Sequence, residues 1–286
     1  KINLCTPKIF KKNKTYIVRL NEKLKLNNFI KGHCNPKSST GRLNIFCRTI
    51  LDNCDEYEKI PSNYKGEMFL EITTRSFDIK ISSGDKLNQM RLTKKYNNYV
   101  NDEKLKKINK SKPLIFSSKK NLIDNGLKVS VDLSDNNEIC AYVAKNVSSY
   151  INFNKFKFYE TKKFWKPLKP SNKTLIIEKN KFYILKSKEK IRIPDNFAGE
   201  MIPYDTGIGD FRVHYAGFFD PGFGDPMGSY AVLEVKTNEL AFMIEDGQTI
   251  ARIKYEKLNK KTSVVYGSNI NSNYQNQKLA LSKHFK

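Results

Sequence analysis

The chain has 286 residues, 39% of them hydrophobic, so it is long enough for one large domain or two ordinary ones. Its 52 basic and 29 acidic residues give a formal charge of +23, but the lysines are scattered in a composition typical of an AT-rich genome. This pattern favours a phosphate-bearing small substrate over a nucleic acid, and the absence of any run of 18 apolar residues excludes a transmembrane helix and gives no reason to expect a membrane partner.

Cysteine and histidine usage argues against a disulfide framework and against a metal site. The five cysteines are odd in number and include no C-x-x-C pair, which is typical of a protein in a reducing cytoplasm. With only three histidines, the chain has no cluster with the spacing of a zinc site, so we expect no metal ligands. The chain begins at Lys1, without Met and within the sequence pattern of its first repeat, and we expect its natural start to lie upstream.

The first third of the chain has the alternation of apolar and polar residues that predicts short β-strands. Leu24 and Leu26 alternate with lysines, and Phe77, Ile79 and Ile81 alternate with polar residues before a Ser-Gly-Asp turn. Asp-Asn, Ser-Gly and Asp-Pro-Gly clusters end other apolar runs in the same way. The chain is therefore predicted to be mostly β.

Residues 94–126 differ from their surroundings. They are rich in Lys and Asn, they have the best developed helical period in the chain, and they contain Pro113. We predict that this stretch connects a first domain, residues 1–93, to a second domain, residues 127–286.

The two predicted domains are related by an internal repeat. Residues 14–17 (KTYI) resemble residues 181–184 (KFYI) at an offset of 167, which holds without a gap through the next predicted strand. In a second block, Glu71 matches Glu234 at an offset of 163. Two blocks in the same order at nearly one period indicate a duplicated domain.

One seven-residue segment, Pro36–Arg42 (PKSSTGR), combines hydroxyls, a glycine and two cations. Backbone amides, hydroxyls and a guanidinium all donate hydrogen bonds to anionic oxygens, so the segment suits a phosphate group. An ordinary surface turn is the alternative interpretation of the same residues. The candidate phosphate ligands are Lys37, Ser38, Ser39, Thr40, Gly41 and Arg42.

Two carboxylates, a turn and the tail are the other candidates. Glu71 and Glu234 each end an apolar strand run, where a carboxylate is costly unless it is exposed or paired. Asp220 begins an Asp-Pro-Gly turn. The polar segment Ser272–Gln277 (SNYQNQ) has either a binding role or no fixed structure.

Four motifs, in chain order, resemble those of the dCTP deaminase family: KSSTGR at 37–42, FDPGF at 219–223, VLE at 232–234 and YQNQ at 274–277. The resemblance covers nearly the whole chain, and the tandem arrangement is similar to the alphaproteobacterial type. It implies a mostly β fold of two tandem dUTPase-like (β-clip) β-barrel domains with few short helices. It also implies a hydrolase that acts on the cytosine C–N bond of a cyclic amidine and converts dCTP to dUTP and ammonia.

The resemblance further implies roles for single residues. Arg42 and the serines before it would hold the phosphates and position the catalytic water, and Asp220 would contact the deoxyribose 3′-hydroxyl. Glu71 and Glu234 both match the catalytic glutamate, which acts as a general base. The tail residues that would close over the nucleotide are Tyr274 and Gln277.

The departures from the family pattern are complementary. In repeat one, Pro61 stands at the position of the sugar-binding aspartate. In repeat two, residues 204–209 (YDTGIG) replace the phosphate segment and lack its arginine. We therefore expect the repeats to complete one another in a composite site, formed either within one chain or against a second chain, and we favour Glu234 over Glu71 as the base.

The signature of zinc deaminases, H-x-E…P-C-x-x-C, is absent, so we expect a reaction without zinc in which Mg²⁺ accompanies the triphosphate. The expected partners are the nucleotides dCTP and dUTP and further copies of the chain in a homo-oligomer. The expected role is dUTP biosynthesis in the nucleotide metabolism of the cytoplasm. The alternatives are a dUTP diphosphatase of the same fold, whose Gly-rich, Arg-containing C-terminal segment is not found here, and a non-catalytic nucleotide-binding protein.

Overall fold

The structure is a computed structural model that describes residues 4–94, 98–119, 121–134, 138–203, 212–213, 217–237, 240–267 and 272–286. These residues form 21 strands and three short helices, which confirms the predicted mostly β fold. None of the helices in the described part of the chain has the length and apolar character needed to cross a membrane.

In chain order the elements are β1 (Lys8–Phe10), β2 (Thr15–Lys25), β3 (Lys31–Pro36), α1 (Ser38–Gly41), β4 (Ile45–Leu51), β5 (Lys59–Ile60), β6 (Lys65–Thr74), β7 (Asp78–Ile81), β8 (Asn88–Thr93), α2 (Asp102–Ser111), β9 (Ile115–Phe116), β10 (Leu127–Ser130), β11 (Ala141–Ala144), β12 (Tyr150–Asn152), α3 (Thr161–Phe164), β13 (Trp165–Leu168), β14 (Thr174–Ile177), β15 (Phe182–Ile191), β16 (Phe197–Pro203), β17 (Arg212–Val213), β18 (Phe218–Phe219), β19 (Ser229–Lys236), β20 (Phe242–Glu245) and β21 (Thr249–Lys257).

The chain forms two compact units, and both are discontinuous in sequence. Unit 1 comprises Lys1–Asn97, Lys145–Phe164 and Leu281–Lys286, and unit 2 comprises Asn98–Ala144 and Trp165–Ala280. Unit 1 contains the sheets β2-β6-β4, β5-β3-β8 and β1-β7-β12, and β12 pairs with β7 in parallel. Unit 2 contains β13-β11-β15-β19-β17 with β9 on β15, together with β10-β21-β16-β18 and β14-β20. The domain boundaries predicted from the sequence stay a prediction.

The central strand pairs of the two units have the same register. In unit 1, β2 pairs with β6 so that Ile17 lies opposite Glu71. In unit 2, β15 pairs with β19 so that Ile184 lies opposite Glu234, at the offsets of 167 and 163 that the sequence gives. In both pairs a register shift begins two residues further along the first strand. The internal repeat is therefore a repeat of structure.

The neighbouring sheets extend this correspondence to the Asp-Pro-Gly turn that begins at Asp220. Ile60 of β5 pairs with a glycine of β3, and Phe219 of β18 pairs with the equivalent glycine of β16. The next residues along the chain, Pro61 and Asp220, are therefore equivalent positions, as the sequence alignment predicts.

Each unit has its own apolar interior, because alternate residues of its strands point inward. In unit 2 the fully buried side chains include Val129, Leu185, Leu233, Ile253 and Tyr255. In unit 1 one buried cluster consists of Cys34, Leu51, Ile60, Tyr64 and Met68.

The predicted helical stretch contains α2. Asn101 caps its N-terminus by accepting a hydrogen bond from the Lys104 amide at 3.0 Å. Leu105 is fully buried, with Ile108 packed against the same core three residues on. The helix ends at Ser111, before Pro113, which disfavours helical backbone at the residue that precedes it.

Candidate functional site

The predicted phosphate segment runs from the last residue of β3 through the whole of α1 in unit 1. Two hydrogen bonds to the carbonyl of Leu87 fix it, one from the Lys37 amide at 2.9 Å and one from the Thr40 hydroxyl at 2.7 Å. Ser39, Thr40 and Gly41 are buried, whereas Lys37 and Ser38 are half-buried. Of the segment's side chains, Lys37 and Ser38 are therefore the most accessible to an anion.

Arg42 does not point freely into solvent. Its side chain is 3% exposed, and Nη1 lies 3.5 Å from the carbonyl oxygen of Leu281, a residue of the C-terminal segment that belongs to the same unit. A guanidinium at this depth holds the local backbone in place as well as contributing positive charge.

Glu71 lies on β6, between β2 and β4, and is paired with an arginine. Its register partner on β4 is Arg48, whose Nε and Nη2 lie 3.1 and 2.5 Å from Glu71 Oε1. The Arg48 guanidinium also lies over the Tyr57 ring, 3.9 Å from the centroid. Arg48 was not among the candidates from the sequence, and only its register opposite Glu71 reveals it.

Glu234 occupies the equivalent position on β19 in unit 2, in different surroundings. Its cross-strand neighbour on β15 is the fully buried Ile184, and Glu234 itself is only 6% exposed. Its chain neighbours Leu233 and Val235 point into the core of unit 2. This glutamate is therefore shielded from bulk solvent.

The loop that starts at Asp220 is held by the tail of unit 2. Gly222 has φ +94°, and a Cβ atom there would lie 2.1 Å from Val265 Cγ1, so the loop requires glycine at this position. The Gln275 side chain donates to the Gly222 carbonyl at 3.2 Å and accepts from the Gly224 amide at 3.1 Å. Asp220 itself is half-buried.

The other tail candidates are also packed in unit 2. Tyr274 and Gln277 are buried, and Gln277 Nε2 donates to the Tyr230 carbonyl at 2.8 Å. Gln275 and Gln277 therefore have hydrogen-bond partners in unit 2, and a binding role of the tail stays a prediction.

The candidates thus divide between the two units. The phosphate segment and Glu71 belong to unit 1, whereas Asp220, Glu234 and the tail belong to unit 2. The replacement segment of repeat two, residues 204–209, lies outside the described residues.

A carboxylate that sequence reasoning missed lies beside β8. Glu58 adopts φ +63°, a conformation that non-glycine residues rarely adopt and that is enriched at functional sites. Burial raises the pKa of its carboxyl, while hydrogen bonds from Thr49 and Asn88 and the charge of Arg48 lower it in part. Asn88 directly follows Leu87, whose carbonyl fixes the phosphate segment. No sequence motif marks Glu58.

Two further features bear on ligands. A surface cavity of about 360 Å³ in unit 2 is lined by β13, β14 and Met243, and no candidate site residue lines it. Within the described ranges, no group of three or more His, Cys, Asp or Glu side chains is arranged to hold a metal ion.

Comparisons with known proteins identify the family of the chain. The profile of the 2′-deoxycytidine 5′-triphosphate deaminase (DCD) N-terminal domain matches residues 1–96, and that of the C-terminal domain matches residues 101–285. The crystal structure of 2′-deoxycytidine 5′-triphosphate deaminase from Agrobacterium tumefaciens is similar, with 37% identity and a TM-score of 0.85 over 91% of this chain and 78% of that one. No curated protein matched the sequence. This neighbour has the dUTPase-like fold, so the predicted fold class is confirmed, and the chain belongs to the 2′-deoxycytidine 5′-triphosphate deaminase family.

Proposed function

We propose that the chain catalyses the hydrolytic deamination of dCTP to dUTP and ammonia, with Glu234 as the general base. Family membership across nearly the whole chain supports the substrate and the reaction. The different surroundings of the two equivalent glutamates support the choice of Glu234.

Glu71 is less suited to take a proton from water. Arg48 contacts one of its two carboxylate oxygens through two nitrogen atoms, which fixes the orientation of the carboxylate and leaves only the other oxygen to take a proton from water. Glu234 lies in a buried environment, where fixed polar groups act strongly because bulk water is excluded.

In the proposed reaction, water attacks C4 of the cytosine ring. The Glu234 carboxylate accepts one proton from the water and passes it to ring nitrogen N3, and it then passes the proton of the new C4 hydroxyl to the leaving amine. The C4–N bond then breaks, ammonia leaves and the C4 carbonyl of uracil remains. No electrons are transferred, and dCTP and water give dUTP and ammonia in balance.

The two repeats supply complementary binding groups in this proposal. The phosphate segment of repeat one, Lys37–Arg42, binds the triphosphate, which enters as its magnesium complex because Mg²⁺ prefers phosphate oxygens. Asp220 of repeat two binds the 3′-hydroxyl, and Tyr274 and Gln277 close over the nucleotide. We further propose that the protein is a homo-oligomer and that it acts in the cytoplasm, for which the odd cysteine count is typical.

The test is steady-state deamination of dCTP by the variants Glu71→Gln and Glu234→Gln, with ammonia release as the measured quantity. Glutamine retains a side-chain oxygen, so Arg48 keeps an acceptor in the first variant. Loss of a general base costs about 10²–10⁴-fold in kcat, so we expect Glu234→Gln to show this loss and Glu71→Gln to stay near wild type. The reverse result would assign the base to Glu71.

Pyrophosphate release from dUTP is measured in parallel. A wild-type enzyme that releases pyrophosphate from dUTP, but no ammonia from dCTP, would be a dUTP diphosphatase. A protein that binds either nucleotide without turnover would be a non-catalytic member of the family.

A further inference from the structure

The last six residues, Leu281–Lys286, form a C-terminal strap within unit 1. The amides of Phe158 and Tyr159 donate to the His284 carbonyl at 2.9 and 3.1 Å, so the backbone of the strap is fixed. The Thr161 hydroxyl donates to the carbonyl of Lys286, at the end of the strap, at 2.7 Å.

The strap contacts the phosphate segment directly. Ser282 is 2% exposed, and its hydroxyl lies 2.9 Å from the carbonyl oxygen of Ser39. The carbonyl of Leu281 lies 3.5 Å from Nη1 of Arg42. The segment is therefore held on one side by the Leu87 carbonyl and on the other by the strap.

A buried histidine orients the Ser282 hydroxyl. His284 Nδ1 lies 2.9 Å from Ser282 Oγ, and His284 Nε2 lies 2.9 Å from the carbonyl oxygen of Phe153. A carbonyl cannot donate a hydrogen bond, so Nε2 must hold the proton of a neutral imidazole. Burial lowers the pKa of His284 to about 4, so the imidazole is neutral near pH 7.

This proton count leaves the serine hydroxyl between two acceptors. Nδ1 of the neutral imidazole has no proton and accepts, as does the Ser39 carbonyl. These two acceptors share the single proton of the Ser282 hydroxyl, so the serine links the Ser39 carbonyl of the phosphate segment to the histidine ring, which Phe153 fixes from its other side.

We propose that Ser282 and His284 are positioning residues that fix the backbone of the phosphate segment at Ser39, so that Lys37 and Ser38 are held ready for the triphosphate. The proposal rests on the proposed function, because it concerns binding of dCTP at that segment. Neither residue touches the substrate in this scheme, and both act through the segment.

The test compares Ser282→Ala with a matched control, Thr161→Ala. Both variants remove one hydroxyl that donates to a backbone carbonyl, but only Ser282 contacts the phosphate segment. Loss of one such hydrogen bond is expected to raise KM for dCTP about 5-fold, with kcat within about 2-fold of wild type because the base is untouched. Thr161→Ala is expected to keep the wild-type KM.

Ser282→Cys keeps the size of the side chain but offers only a weak donor, so its KM is expected to lie between those of Ser282→Ala and wild type. If Ser282→Ala does not fold, the same comparison is made between Ser282→Cys and Thr161→Ala. A wild-type KM in the Ser282 variants, or equal changes in the Ser282 and Thr161 variants, would overturn the positioning role. An inactive wild-type enzyme would instead refute the proposed function.

Discussion

Acidification tests how the buried imidazole of His284 contributes to the stability of unit 1. The residue is 0% exposed, and burial lowers its pKa from an ordinary value of 6.5 to about 4. Between these values the unfolded chain binds a proton at this side chain and the folded chain does not, so the free energy of unfolding decreases as the pH falls. At about 1.4 kcal/mol for each pH unit, the full loss is about 3 kcal/mol. Above pH 6.5 this contribution is complete and constant.

The measurement is urea unfolding of wild type and His284→Gln at a series of pH values and constant ionic strength. The variant removes the titration, so we expect the free energy of unfolding of wild type, relative to the variant, to decrease by about 3 kcal/mol between pH 7 and pH 4. Glu58 titrates with the opposite sign, because burial raises its pKa and folding favours its protonated form, but it is present in both proteins and cancels. A relative free energy that stays constant over this range would refute the reasoning.

Two further predictions concern zinc and the buried carboxylate of Glu189. An enzyme treated with a zinc-selective chelator and then supplied with magnesium is expected to keep its dCTP deaminase activity, because the sequence lacks the zinc-deaminase signature. A loss of activity that only zinc restores would contradict this prediction. Glu189→Ala is expected to lower the free energy of unfolding by about 1–3 kcal/mol, because the amide and hydroxyl of Ser130 lose their buried acceptor. Its equivalent in repeat one, Glu22, is exposed, so Glu22→Ala is expected to stay within about 0.5 kcal/mol of wild type in urea unfolding. Equal losses in the two alanine variants would contradict the role of burial.

The repeat was predictable from sequence because strand pairing depends on a local pattern. Alternating apolar residues define the buried face of each strand, and a duplicated pattern imposes the same register in both copies. The two offsets, 167 for Ile17 and Ile184 and 163 for Glu71 and Glu234, therefore also describe the observed pairing of β2 with β6 and of β15 with β19. The equivalence of Pro61 and Asp220 follows in the same way.

The C-terminal strap could not be predicted in this way. It consists of six residues outside both repeat blocks, and its pairing with residues 157–159 joins segments that are more than a hundred residues apart. Residues 145–164 also belong to unit 1, although they follow a stretch of unit 2. Such contacts depend on the path of the folded chain, for which no local periodicity exists. The ion pair of Arg48 with Glu71 was missed for the related reason that a register must be known before cross-strand partners are known.

The duplication also provides an internal comparison for the role of Glu234. Burial of a carboxylate costs free energy, so a buried carboxylate is retained only where a function or a compensating contact offsets that cost. In repeat one the same strand pairing forms with Glu71 paired to Arg48 and with the neighbouring Ile17 68% exposed, so the register itself does not require a buried glutamate. In repeat two Ile184 is fully buried and Glu234 is 6% exposed. The shared fold does not impose this burial, which is the environment that the proposed role of Glu234 as the base calls for, since a carboxylate shielded from bulk solvent can act on one bound water without competition from others.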